Sequence, residues 1–268
     1  MKKHLIVIGT IVLLLVVGLS GCIEEEIAVP TEGDTKLISV EPLSGKYNTS
    51  IQYKQNYHNG VWYNYTEIKY SKNGNEYSGV YLPSMKEALD WIKSNTSEGC
   101  TVLCWWDYGH MIVGYAEREA IAVFSSLALK DTIGEFKELD ETEKHNYIAE
   151  REWESNETLE EMAKILTTEN ISSNATMELI EKYNISYILT RSYDAHISNI
   201  FFDACGKNPD EYIVDTMPNE KGNQTLIFKM WSYEPNIHDL KLVYSYYPSG
   251  EFHPEYYQDI RIFELVTS

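Results

Sequence analysis

Thr101-Val102-Leu103-Cys104-Trp105-Trp106-Asp107-Tyr108-Gly109-His110 is the stretch from which the rest of the chain is read. Its first half is short, apolar and β-branched, which predicts a buried strand over Thr101–Trp105. Trp105-Trp106-Asp107-Tyr108-Gly109 then stands at the C-terminal end of that strand, where α/β sheets gather their sites. Two indoles and a phenol offer apolar faces with polar edges, Asp107 offers two acceptor oxygens, and Gly109 permits close backbone approach. That set suits a pocket for a small polar peptide or a sugar. Asp107 has a second role open to it, as N-cap of the helix expected over Tyr108–Ala116. His110 reads as a hydrogen-bonded structural histidine.

Upstream, Ser84 and Glu87 form a capping-box pattern, and Ala88, Leu89, Trp91 and Ile92 recur at helical spacing, so a helix is expected to end near Asn95. Before it, Lys36–Leu82 alternates polar with aromatic or β-branched residues. Asn59-Gly60 and Asn73-Gly74 punctuate that stretch, which predicts a meander of three or four strands.

Downstream, a strand is expected at Ala120–Phe124. The Glu- and Lys-rich segment 131–161 reads as solvated helix, with a second capping box at Thr158 and Glu161 ahead of Met162, Ile165 and Leu166. Helices at Ala175–Tyr183 and Ala195–Ala204 bracket a strand at Ser186–Thr190. Strands at Leu226–Met230, Leu242–Tyr246 and Ile260–Val266 close the chain. The expected class is a mixed α/β core with the motif at a strand C-terminus and an N-terminal antiparallel β appendage.

The first 22 residues read as an export signal: Lys2 and Lys3, an apolar run from Leu5 to about Leu19, then Leu19-Ser20-Gly21-Cys22. That tetrad is similar to the lipobox of lipoproteins, which implies lipidation of Cys22; an uncleaved N-terminal membrane anchor is the other reading. Residues 23–35 are expected to be a linker, 36–82 the β appendage and 83–268 the globular domain. Either reading places the domain on the outer face of the cytoplasmic membrane. A formal charge of −19, from 22 Lys and Arg against 41 Asp and Glu, argues against a nucleic-acid partner.

Cys100, Cys104 and Cys205 remain beside Cys22. Their pairing is open: Cys100 and Cys104 flank a strand and are too far apart to bridge unless the chain turns there, and either could meet Cys205. Paired Cys or His spacing for zinc is missing, and no cofactor is expected. Asn-x-Ser/Thr triplets begin at Asn48, Asn64, Asn95, Asn156, Asn170, Asn174, Asn184 and Asn223, and these eight exceed the two or three that 17 Asn and 38 Ser or Thr would give by chance. They are candidate glycosylation sites of an exported chain.

The pentapeptide resembles the WWDYG signature of the oligosaccharyltransferase catalytic subunit. Two longer stretches, MKEALDWIKSNT through VLCWWDYGHMIVGYAERE and MAKILTTEN through MELIEKYNISYILTRSYD, resemble that family's globular core in the same order, covering roughly Leu82 to Phe202. The resemblance implies that Trp105, Trp106, Asp107, Tyr108 and Gly109 bind acceptor peptide, with Asp107 taking the Ser or Thr hydroxyl of Asn-x-Ser/Thr. In the archaeal family a second motif, D-x-x-K-x-x-x-M/I, follows a strand comparable to Ser186–Thr190. Here Asp194 stands at its start, but Ile197 and Phe201 occupy the other two positions.

Catalytic subunits of that family carry a multi-span membrane domain that holds the glycan-lipid and the acidic metal ligands. No second stretch of this sequence is apolar enough to span a bilayer, since Glu117, Arg118 and Glu119 interrupt Ile112–Leu129. The resemblance therefore implies the water-exposed part of a glycosyltransferase, binding acceptor peptide without catalysing transfer alone. A partner-completed transferase, with a full-length oligosaccharyltransferase in the same membrane, is one alternative. A glycan-binding surface lipoprotein using Tyr53, Tyr57, Tyr63, Tyr65 and Tyr70 as stacking faces is another. No G-x-S-x-G context supports a hydrolase, and no carboxylate pair is singled out for a glycosidase.

Overall fold

The computed structural model describes residues 30–31, 33–137, 139–232, 237–247 and 259–266. The expected export signal, Cys22 and most of the expected 23–35 linker lie outside the described residues. The chain divides into two compact units, Met1–Thr35 with Asn56–Tyr63, and Lys36–Gln55 with Asn64–Ser268. In the smaller one, Gly33 N–H donates to the Tyr57 carbonyl (3.0 Å), and the Tyr57 and Trp62 rings lie 5.3 Å apart. The larger unit carries the tryptophan motif.

Strands β1 (Thr35–Pro42), β2 (Ser50–His58), β3 (Val61–Lys72) and β4 (Asn75–Val80) form a four-stranded sheet in sequence order. Asn73 and Gly74 adopt φ of 54° and 82°, the left-handed pair that a two-residue hairpin loop requires. A 3-10 turn at Pro83–Met85 leads into helix α1 (Lys86–Asn95). Its N-cap is Met85 and no side chain caps it, because Pro83 draws Ser84 into the preceding turn. The expected Ser84–Glu87 capping box is therefore not formed.

Strand β5 (Thr101–Leu103) is buried along its length and passes directly into helix α2 (Trp106–Gly114). The strand is two residues shorter than expected and the helix begins two residues earlier. Helices α3 (Leu127–Thr132) and α4 (Glu141–Ala149) follow a strand, β6, reduced to Glu119–Ala120. α4 carries a capping box between Asp140 and Glu143. In α5 (Asn156–Leu166) Ser155 is the cap; its hydroxyl accepts from Thr158 N–H (3.0 Å), so the expected Thr158–Glu161 box is displaced.

Helix α6 (Asn174–Lys182), strand β7 (Ile185–Arg191) and the pair α7 (Ser192–His196) and α8 (Ser198–Ala204) come next. One expected helix is thus split at Ile197. Leu226–Lys229 is a helix, α9, and not the expected strand; Thr225 lies extended before it and its own hydroxyl bonds the Gly222 carbonyl (2.7 Å). Strands β10 (Leu240–Tyr246) and β11 (Ile260–Leu265) complete a second, mixed sheet in the order β10-β11-β7-β5-β6, with β5 parallel to both its neighbours. Short β8 (Ile213–Val214) and β9 (Met217–Pro218) pair separately.

The mixed sheet and its helices enclose the core, with Ile188, Leu189, Ile262 and Phe263 from the strands meeting Leu89, Met162 and Ile165 from the helices. The N-terminal sheet shares that core. Ile68 and Tyr70 of β3 lie over Gly114 of α2, where a Cβ would come within 2.6 Å of the Tyr70 ring. Thr49 fastens the contact by donating to the Gly114 carbonyl (2.7 Å). Cys100, Cys104 and Cys205 are free thiols, so the open pairing resolves to none among the described residues. No described helix is long and apolar enough to cross a membrane.

Candidate functional site

Trp105 has extended backbone (φ −62°, ψ 145°), and its carbonyl accepts the Tyr108 N–H (3.0 Å), so the motif is the opening turn of α2. Asp107 sits inside that turn and Trp105 holds the N-cap position without a side-chain bond; the N-cap role considered for Asp107 is not taken. The helical turn then sorts the motif by direction. Trp105 points into the core, 2 % exposed, with its ring 4.3 Å from that of Phe201. Tyr108 is buried and donates its hydroxyl to Asp194 Oδ1 (2.6 Å). Gly109 is obligatory for packing, because a Cβ would lie 2.0 Å from the Ala122 carbonyl oxygen.

Asp194 is itself buried. It accepts from Tyr108, from Arg191 N–H (2.8 Å) and from the Thr190 hydroxyl (3.0 Å). Burial raises its pKa against the pull of those donors. Asp194 and Phe201 therefore serve as the rear support of the motif, one holding Tyr108 and the other Trp105.

Trp106 and Asp107 remain at a groove of about 910 Å³, which His110, Phe124 and Tyr77–Val80 also line. Trp106 Nε1 is buried and has no hydrogen-bond partner among the described residues. Leaving a buried donor unpaired costs about 1–3 kcal/mol, so an acceptor that reached this nitrogen would be stabilising. Lys130 Nζ stands 5.0 Å from the centroid of the Trp106 ring. Burial and then the Asp194 charge push the Asp107 carboxyl up to about 7, with Lys130 and Arg191 pulling the other way.

His110 is neutral: burial pushes its pKa down to about 4, and its Nδ1 shares a hydrogen bond with the Tyr70 hydroxyl (3.1 Å). A smaller cleft of about 510 Å³, near Asn170, Asn223 and His238, holds none of the motif residues.

No family model matches the chain. Local matches are found instead. Over 44 residues it is 43% identical to a dolichyl-diphosphooligosaccharide–protein glycosyltransferase subunit of Schizosaccharomyces pombe, covering 16% of this chain and 6% of that protein. Over another 44-residue match it is 48% identical to dolichyl-phosphooligosaccharide-protein glycotransferase 2 of Pyrococcus horikoshii, covering 15% and 6%. The chain resembles oligosaccharyltransferase subunits. It aligns with only about 6% of the length of these relatives. Among solved structures, the C-terminal globular domain of an Archaeoglobus fulgidus oligosaccharyltransferase matches 69% of this chain and 98% of its own, at 17% identity and a TM-score of 0.45. An Archaeoglobus fulgidus oligosaccharyltransferase tethered by a disulfide bond to an acceptor peptide containing the NVT sequon matches over 64% of this chain and 24% of its own, at 16% identity and a TM-score of 0.43.

Within this oligosaccharyltransferase-like chain, the groove draws on residues that sequence reading did not single out. Segment 131–161, read as solvated helix, contributes Tyr147 of α4 and, beyond its end, Arg151 and Trp153 to the groove lining. Arg151 stacks on Tyr147 at 3.6 Å, and Trp153 Nε1 donates to the Ile148 carbonyl (2.9 Å). The i, i+4 spacing of Tyr147 and Arg151 followed by Trp153 was the available signal. Of the tyrosines named as stacking faces, Tyr70 is buried, while Tyr63 and Tyr65 are exposed. The asparagines of all eight triplets are exposed.

Proposed function

We propose that this chain binds extended polypeptide carrying Asn-x-Ser/Thr, with Asp107 accepting the Ser or Thr hydroxyl and Trp106 Nε1–H donating to the peptide beside it. The observation that carries this reading is the unpartnered, buried Trp106 Nε1 on a residue adjacent in sequence to Asp107, whose carboxyl is pushed up to about 7, with both residues lining one groove. Tyr108, Gly109 and Trp105 act from behind, by fixing the turn that presents those two groups. The chain is exported and tethered to the membrane through Cys22 or its N-terminal apolar run, and glycan transfer belongs to a full-length transferase in the same membrane.

The test is intrinsic Trp fluorescence of the purified chain, titrated with an Asn-Val-Thr peptide and its Asn-Val-Ala counterpart. A hydroxyl bond to a charged acceptor is worth about 1.5–3 kcal/mol, so the Thr peptide should bind roughly 10- to 100-fold more tightly. Asp107→Ala should abolish that preference while the thermal melt is retained. Equal affinity for both peptides would remove the hydroxyl contact from the reading and leave glycans as the ligand class to examine.

A further inference from the structure

The β3–β4 hairpin closes on Asn73-Gly74 with Lys72 opposite Asn75. A two-residue loop of this kind makes the flanking pair a hydrogen-bonded one, and bonded and non-bonded pairs then alternate along the ladder. Tyr70–Tyr77 and Ile68–Gly79 are accordingly bonded pairs, whereas Ser71–Glu76, Lys69–Ser78 and Glu67–Val80 are not. Two bonds fix that phase: Tyr81 N–H donates to the Thr66 carbonyl (2.9 Å), and Ser71 N–H turns away from β4 to the Tyr47 carbonyl (2.7 Å). The main-chain groups of Glu76, Ser78 and Val80 therefore point outward from the sheet.

Nothing among the described residues pairs with that edge, since β4 ends the sheet order. Natural edge strands are usually blunted by Lys, Pro or a bulge. Asn75–Val80 carries no Lys, Pro or bulge and a single charge, Glu76, and Glu76, Ser78 and Val80 are all exposed. Gly79 also sets how close the edge lies to the motif, because a Cβ there would fall 2.2 Å from the His110 ring. Ser78 and Val80 line the same groove as Trp106 and Asp107.

We propose that β4 is a docking edge, on which an extended, neutral or basic polypeptide segment adds as a fifth strand, its main chain bonded to Glu76, Ser78 and Val80. This rests on the peptide-binding reading and deepens it: strand addition reads the backbone irrespective of sequence, while Trp106 and Asp107 read one side chain. The occupant's charge follows from the groove, where Glu67, Glu76, Asp107, Glu150 and Glu152 outnumber Lys130, Arg151 and Arg191. The same excess, within a chain of formal charge −19, opposes a second copy at this edge.

The experiment is an N-methyl scan of the Asn-Val-Thr peptide against the full chain, with Ser78→Pro as the partner variant. Strand pairing presents every second peptide amide to β4, so methylation should weaken binding roughly 3- to 10-fold at alternate positions and leave the amides between them unaffected. Ser78→Pro removes one outward N–H without touching a bond to β3. It should keep the melt and weaken the unmethylated peptide by a similar factor. If the parent peptide binds with its Thr preference but the methyl scan shows no alternation, strand addition is wrong and hydroxyl recognition stands. If the parent peptide does not bind, both fall together. A dimer in sedimentation that disappears in Ser78→Pro would give the edge to a second copy and overturn the proposal.

Discussion

Asp107 is half-buried beside another carboxylate, and both circumstances disfavour its ionised form. With its pKa pushed up to about 7, the group passes from proton donor to pure acceptor within the range where most proteins stay folded. The sign for folding follows from linkage. The folded value lies above the ordinary carboxylate value, so this contribution to stability is complete at low pH and is lost as pH rises through about 7. Ligand binding should move the opposite way. Preference for Thr over Ala peptide is expected to strengthen as pH rises through about 7, and Asp107→Asn should flatten the profile; a preference unchanged across that interval would count against Asp107 as the hydroxyl acceptor. The identity of this residue was legible in the sequence, but its neighbour's orientation was not. Trp105 and Trp106 are adjacent and alike, and only the start of the helical turn decides that one packs on Phe201 and the other faces the groove.

The elements that hold the motif depend on how their ends are satisfied. Arg118 is buried at the C-terminus of α1, where Nη2 donates to the carbonyls of Lys93 and Thr96 (both 2.7 Å) and Nε to the Thr96 hydroxyl (2.8 Å). A cation there opposes the negative end of the helix dipole and pairs carbonyls that the helix leaves open. Arg118→Ala should cost about 2–4 kcal/mol in denaturant unfolding, at about 1.5–3 kcal/mol per charge-assisted bond with partial replacement by water. A loss below about 0.5 kcal/mol, the low end for a single net hydrogen bond, would mean the clamp is redundant. In sequence Arg118 appeared only as an interruption of an apolar run. The Asn-Gly hairpins were legible because few residues tolerate the left-handed backbone they use, and Asn59, Gly60, Asn73 and Gly74 all adopt it. Leu226–Met230 was misread because a short apolar run fits a buried helix as well as a strand, and periodicity cannot separate them. The two misplaced capping boxes lost to nearer competitors, Pro83 in one case and Ser155 in the other.

Across the larger unit, stability rests on burial with no covalent staple among the described residues. The mixed sheet was readable as a class, from strands alternating with helical segments, whereas the order β10-β11-β7-β5-β6 was not, since it depends on long-range pairing that leaves no local mark. Thiol chemistry separates this fold from a disulfide-bonded one. Cys100 and Cys104 are buried, and burial together with the nearby Asp194 and Asp107 charges pushes the Cys104 thiol well above its ordinary value. Cys205 is half-buried, with its Sγ 3.4 Å from the Phe202 carbonyl and from the Thr167 hydroxyl. Because the thiolate is the species that reacts, an alkylating reagent should reach Cys205 first in the native protein and Cys104 last. Denaturation without reductant should expose Cys100, Cys104 and Cys205 together, and the melting temperature should be indifferent to added thiol. Peptide mapping that finds any two of these three resistant until reduction would show a bridge, and one through Cys104 would require the turn between β5 and α2 to be redrawn around it.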